Sequence, residues 1–177
     1  MKILAICGSL KANSSNRSVL KAASILAPSG LAIQLCEVIG SLPHFNPDIE
    51  GVDEPQIVQD FRDQVSKADG LLISTPEYAH GIPGSLKNAL DWLVSATDFA
   101  GKPVALINLA PRAHHAQDAL KEVLRTMAAN IVEEASFTLS SQRASLDEAT
   151  ILDDAELSSL LAESLLAFQL FLAKQTP

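Results

Sequence analysis

Short apolar runs recur along the chain, each followed by a polar break and then by apolar positions at helical spacing. Residues 2–7 (Lys-Ile-Leu-Ala-Ile-Cys) form the first run and end at Gly8. A near-continuous apolar run of this length predicts a strand covered on both faces. A helix is predicted over about 17–27, where Val19, Leu20, Ala23 and Leu26 share a face before Pro28 and Gly30 stop it. Residues 31–38 read as a second strand. Residues 40–55 hold Pro43, Pro47 and Pro55 and read as irregular. A helix follows over about 54–68, with Ile57, Val58, Phe61 and Val65 in phase, and residues 70–75 make a third strand. Leu86, Ala89, Leu90, Leu93 and Val94 form one stripe and predict a helix over 85–95. A fourth strand (103–109), a helix (115–128), a fifth strand (130–138) and a last helix (about 153–173, capped by Asp153 or Asp154) complete the pattern.

Five apolar strands alternating with helices imply a parallel sheet covered on both faces. Right-handed crossovers restrict the topology. The expectation is an α/β, flavodoxin-like three-layer sandwich, with a five-stranded parallel sheet in the order 2-1-3-4-5. Residues 1–177 would form one domain. Ligands of such sheets bind at the carboxyl ends of strands 1 and 3, where the strand order reverses. The two most unusual loops of the sequence, 8–16 and 76–84, fall at those ends.

Composition narrows the function. The chain has 177 residues, 47% of them hydrophobic and 19% charged, as expected of a globular domain. Its net charge of −8 argues against nucleic-acid partners and anionic membranes. Residues 1–7 lack the length and cleavage signal of a secretory peptide. The apolar stretch 157–173 contains Glu163, Gln169 and several serines. It reads as a core or interface helix, not a membrane span. A cytoplasmic protein is expected. Cys7 and Cys36 lie in strand-like runs and read as small buried side chains.

The first loop, Gly8-Ser9-Leu10-Lys11-Ala12-Asn13-Ser14-Ser15-Asn16-Arg17, is rich in hydroxyl and amide donors and leads into a helix. Such a helix start suits a phosphate. Ser14 or Ser15 as a simple helix cap is the competing reading. Neither G-x-G-x-x-G nor G-x-x-x-x-G-K-[ST] is present. The third-strand loop places two prolines and two glycines before a helix, which gives a restrained backbone.

Together, Gly8-Ser9-Leu10-Lys11 with Ser14-x-Asn16, and Pro76-Glu77-Tyr78 with Gly81-x-Pro83-Gly84-x-Leu86-Lys87-Asn88-Ala89-x-Asp91-Trp92, resemble the NADPH-dependent FMN reductase family. That family includes flavin, quinone, chromate and azo-dye reductases. The resemblance implies an FMN phosphate held by Ser9, Lys11, Ser14, Ser15 and Asn16. It implies an isoalloxazine ring on Pro76, Glu77, Tyr78, Ala79, His80 and Gly81, contacted through backbone N–H groups. It also implies NADPH or NADH as electron donor, a small acceptor such as a flavin or quinone, and a homodimer or homotetramer. The apolar width of the last helix agrees with such an assembly, and equally with deep burial inside one subunit.

Three departures stand out. Lys11 replaces the usual Arg and loses its two-pronged geometry. Ala79 stands where Asn is common. After strand 4, a Ser/Gly-rich turn is replaced by Leu109-Ala110-Pro111-Arg112-Ala113-His114-His115. Arg112 is the candidate partner for the NADPH 2′-phosphate. The adjacent histidines lack nearby acidic or cysteine partners, so no metal site is expected. Lys87, Asn88, Asp91 and Trp92 read as packing or interface residues. No catalytic nucleophile or acid–base pair is expected, because the flavin supplies the reactive chemistry. The reading is therefore an FMN-dependent NAD(P)H oxidoreductase. A flavin-binding electron-transfer module and a non-catalytic interaction protein without cofactor remain as alternatives.

Overall fold

The computed structural model describes residues 1–112, 114–139 and 146–175. Strands β1 (Lys2–Cys7), β2 (Ala32–Cys36), β3 (Gly70–Ser74), β4 (Pro103–Asn108) and β5 (Asn130–Ile131) run parallel in the order 2-1-3-4-5. This is the flavodoxin-like order. The helices are α1 (Ser15–Leu26), α2 (Gln56–Lys67), α3 (Gly84–Asp91), α4 (His114–Thr126), α5 (Glu148–Asp153) and α6 (Ala155–Gln175).

Each central strand sends alternate side chains into two separate cores. Ile3, Ala5 and Cys7 of β1, with Leu72, Ala105 and Ile107, pack under α1, α5 and α6. Leu4, Ile6, Leu71, Ile73, Val104 and Leu106 pack under α2, α3 and α4. Burial on both faces explains why the strands read as unbroken apolar runs instead of alternating ones. Cys7 and Cys36 are both buried and free.

The last strand departs from expectation. Residues 130–138 form not one strand but β5, a 3-10 turn at Glu133–Ala135, and a short β6 (Phe137–Thr138). Both short strands pair with β4, β5 at Pro103 and Val104 and β6 at Ile107 and Asn108. Glu133 and Glu134 interrupt the apolar run, and the turn carries them out of the sheet before the chain rejoins β4. Helix α3 also stops early, at Asp91. The Leu93 and Val94 N–H groups bond three residues back, to Leu90 and Asp91, and this tightening turns Val94 outward to 64% exposure. Val94 therefore leaves the apolar stripe to which its spacing assigned it.

Asp154, not Asp153, caps α6, accepting from the Leu157 N–H at 3.0 Å. Leu157, Leu161, Leu165, Phe168 and Leu172 form its buried stripe, while Leu166 and Leu170 face outward. Helix α6 is long and apolar enough by composition to cross a bilayer, but its most apolar stripe is packed on the sheet. Phe168 sits where Gly70 leaves room: a Cβ there would lie 2.7 Å from the Phe168 ring.

The irregular segment before α2 is pinned from α3. Asn88 Nδ2 and Trp92 Nε1 both donate to the Pro43 carbonyl, at 2.9 and 2.8 Å, and Phe45 N–H donates to Asn88 Oδ1 at 2.8 Å. Arg62 of α2 adds ion pairs to Glu50 and Glu54 and a bond to the Trp92 carbonyl. Asn88 and Trp92 thus do internal packing work, while Lys87 and Asp91 pair with each other one helical turn apart.

Candidate active site at the β1/β3 switch point

The loops after β1 and β3 meet where the strand order reverses. The Gly8 N–H donates to the Ser74 carbonyl at 2.9 Å. A Cβ at Gly8 would lie 2.1 Å from Thr75 Oγ1, so only glycine allows the two strand ends to close on each other here. Across the same gap the Ser74 hydroxyl donates to Asn16 Oδ1 at 2.8 Å, tying the first turn of α1 to the end of β3.

The hydroxyls of the first loop divide into two groups. Ser9 and Ser14 are buried. Ser9 Oγ accepts from the Lys11 N–H at 3.3 Å, which curls the loop. Ser14 occupies the cap position of α1, with its carbonyl accepting from Ser18 N–H, but its side chain makes no capping bond to the helix. Ser15 Oγ is engaged elsewhere, accepting from the Leu146 N–H at 2.9 Å. Lys11 is exposed. The donor set and the uncapped helix start suit an anionic group such as a phosphate. The Cys7 thiol lies beneath this loop and donates to the Ser9 carbonyl at 3.4 Å. Burial pushes its pKa up, while Ser9, the Ser14 hydroxyl and nearby Arg17 pull it partly back.

The loop after β3 is a tight two-residue hairpin. Tyr78 and Gly81 exchange both backbone hydrogen bonds at 3.0 Å. Its central residues, Ala79 (φ 49°) and His80 (φ 59°), are both left-handed. Two consecutive left-handed residues make a type I′ turn, for which Asn and Gly are the favoured residues. An Ala and a His here store strain, a feature that concentrates at ligand clamps. The turn's rarest backbone angles thus fall on Ala79 and His80, not on Gly81 or Gly84. A Cβ at Gly84 would meet nothing within 4 Å. Pro76 and Glu77 are half-buried, and Tyr78 is 54% exposed.

Two contacts attach this strained turn to the start of α4. The Ala116 N–H donates to Glu77 Oε2 at 2.9 Å, so the carboxylate satisfies an orphan donor at a helix N-terminus. The His80 ring stacks on His115 with centroids 4.3 Å apart and planes 20° apart, and His114 lies 4.0 Å from His115. Among the described residues, no three His, Cys, Asp or Glu side chains are placed to hold a metal. Arg112 is exposed on the turn after β4, and its carbonyl lies 3.2 Å from His114 Nδ1. Ala113 lies outside the described residues.

The residues named from sequence therefore gather in two adjoining loops, with Arg112 on the third. The attachments escaped sequence reading. Ser74 carried one signal, as a small polar residue ending an apolar strand. The Glu77–Ala116 bond and the histidine stack join segments nearly forty residues apart and leave no local trace.

Comparisons with known proteins place the chain in a family. Residues 1–144 match the family model described as NADPH-dependent FMN reductase. An NAD(P)H-dependent FMN reductase of Pseudomonas aeruginosa is 32% identical, over 98% of this chain and 96% of that protein. A quinone reductase of Pseudomonas putida is 41% identical over 63% of this chain and 61% of its own length. In structure, the flavoenzyme NAD(P)H:(acceptor) oxidoreductase FerB of Paracoccus denitrificans superposes with a TM-score of 0.79 at 27% identity, covering 98% of this chain and 97% of that one. With the two loops seated at the switch point and this likeness along nearly the full length, the chain belongs to the NADPH-dependent FMN reductase family.

Proposed function

We propose that the protein is an FMN-dependent NAD(P)H oxidoreductase that reduces a small acceptor such as a flavin or quinone. The observation that carries this reading is the closure of the two loops on one another through Gly8, Ser74 and Asn16, with the buried Ser9 and Ser14 hydroxyls on one side and the strained turn on the other. FMN held there would supply the redox chemistry between NAD(P)H and the acceptor.

Ser9, Lys11, Ser14, Ser15 and Asn16 hold the phosphate. In this role the Ser15 hydroxyl keeps its bond from Leu146 and offers its proton, because a hydroxyl donates and accepts at once. Asn16 keeps its carbonyl on Ser74 and offers its amide N–H₂. Pro76, Glu77, Tyr78, Ala79, His80 and Gly81 border the ring, to which Glu77, Ala79 and His80 offer backbone N–H groups, those of Tyr78 and Gly81 being spent within the turn. The Glu77 carboxylate remains on α4 and takes no part in proton transfer. Arg112 pairs with the 2′-phosphate of NADPH. The active unit is a cytoplasmic homodimer or homotetramer.

Absorbance spectra of the purified protein test the reading. With FMN added, the visible flavin bands shift on binding, bleach with NADPH under argon, and return when a quinone is supplied. Absence of any binding shift refutes the cofactor. Binding without bleaching would leave an electron-transfer module, the reading that the altered turn after β4 keeps open. In the same assay Arg112→Ala lowers the preference for NADPH over NADH by about tenfold. An unchanged preference removes Arg112 from the donor site.

A further inference from the structure

The loop after β1 carries two cations, Lys11 and Arg17, but only one is left uncommitted. The Arg17 guanidinium, in the first turn of α1, is held by both carboxylate oxygens of Glu37, just beyond the end of β2. Ser9, Lys11, Arg17 and Glu37 line one pocket of about 170 Å³, with Cys7 and Cys36 among its other walls. The Cys7 thiol, beside the Ser9 carbonyl and the Ser14 hydroxyl, is close enough to feel both charges of the pair. The carboxylate therefore shares a pocket with Ser9 and Lys11 of the proposed phosphate cradle. It is 58% exposed and is not needed to fill a core.

We propose that Glu37 is a built-in rival anion, which occupies Arg17 and so keeps FMN loosely held and exchangeable. The inference rests on the FMN reading of the site. Both Glu37 oxygens rest on one guanidinium nitrogen, Nη2, so the carboxylate takes that arm and neutralises the charge that would otherwise serve a phosphate. It also cancels one of two positive charges beside a group bearing −1.5 to −2. Lys11 is left as the uncommitted cation, a point charge without a fork.

Titration followed by quenching of flavin fluorescence tests this without turnover. FMN and riboflavin share a ring and differ in the phosphate. Glu37→Gln tightens FMN about three- to tenfold at low salt and leaves riboflavin unchanged, and Glu37→Lys tightens FMN further. Both gains shrink toward zero at roughly 1 M salt, where exposed charges are screened. Equal FMN affinity in wild type and both variants overturns the inference while FMN binding itself stands. An equal gain for riboflavin also overturns it, because pocket shape and not charge would then be responsible. If no form of the protein quenches either flavin, the FMN reading falls and the inference with it.

Discussion

Ala79 carries the clearest conflict between residue type and backbone. A left-handed φ of 49° costs an alanine about 1–2 kcal/mol, and asparagine adopts it with less penalty because its side chain bonds locally. Ala79→Asn should therefore stabilise the protein by about 1 kcal/mol, a rise of about 2–4 °C in Tm by calorimetry. An unchanged Tm would mean that the turn relaxes without penalty. The same position shows why part of the site is not legible in sequence. Glycine marks left-handed backbone in most loops, and here the two left-handed residues are an alanine and a histidine. The serines and Asn16 were visible as candidates, because a hydroxyl- and amide-rich loop before a helix is a local pattern. Their partners Leu146 and Ser74 were not, because only the folded chain brings them near.

Among the secondary elements, the segment before α2 depends on ionisation. The Ser95 hydroxyl and the Arg62 guanidinium hold the Glu50 carboxyl below its ordinary value of 4.5. A carboxyl depressed in the folded state stabilises fully above its unfolded value, and the contribution is lost as pH falls through the folded value. Wild type should thus melt above Glu50→Gln at neutral pH, and the two melting curves should converge as the pH falls through the lowered folded-state value of Glu50. A gap that persists in acid would assign Glu50 a role other than its charge. Element boundaries followed the apolar pattern wherever that pattern was long. Helix α5 escaped because six residues show less than two turns of periodicity. Its one sign is Asp147, which accepts from both the Thr150 N–H and hydroxyl. The fifth strand was over-read because a run of apolar residues does not reveal a detour around two glutamates.

For the molecule as a whole, the two cores are of unequal dependence. One face of the sheet leans on α6, and Phe168 is its largest fully buried side chain. Phe168→Ala should cost about 3–5 kcal/mol in urea unfolding, since the space over Gly70 would be left empty. A loss under 1 kcal/mol would show that α6 can shift to refill it. The outer face of the same helix presents Leu166 and Leu170, at 48% and 56% exposure. If that face builds the proposed assembly, the Leu166→Glu/Leu170→Glu double variant elutes as a monomer in light scattering, with Tm nearly unchanged under dilute conditions. An unchanged oligomer would place the interface elsewhere. The alternating strand–helix plan, the strand order and the meeting of the two unusual loops at the strand-order reversal were all legible, because crossover handedness and double-sided burial leave few ways to arrange these segments. The outward leucines were visible only as excess apolar width.

The contact between Gly8 and Thr75 bears on how such an enzyme diversifies. With no space for a single methyl group between the loops, positions 8 and 75 act as one genetic locus. A mutagenesis library that varies Gly8 while Thr75 is kept will mostly return misfolded protein. On the proposed reading, acceptor range is better sought at the exposed Tyr78.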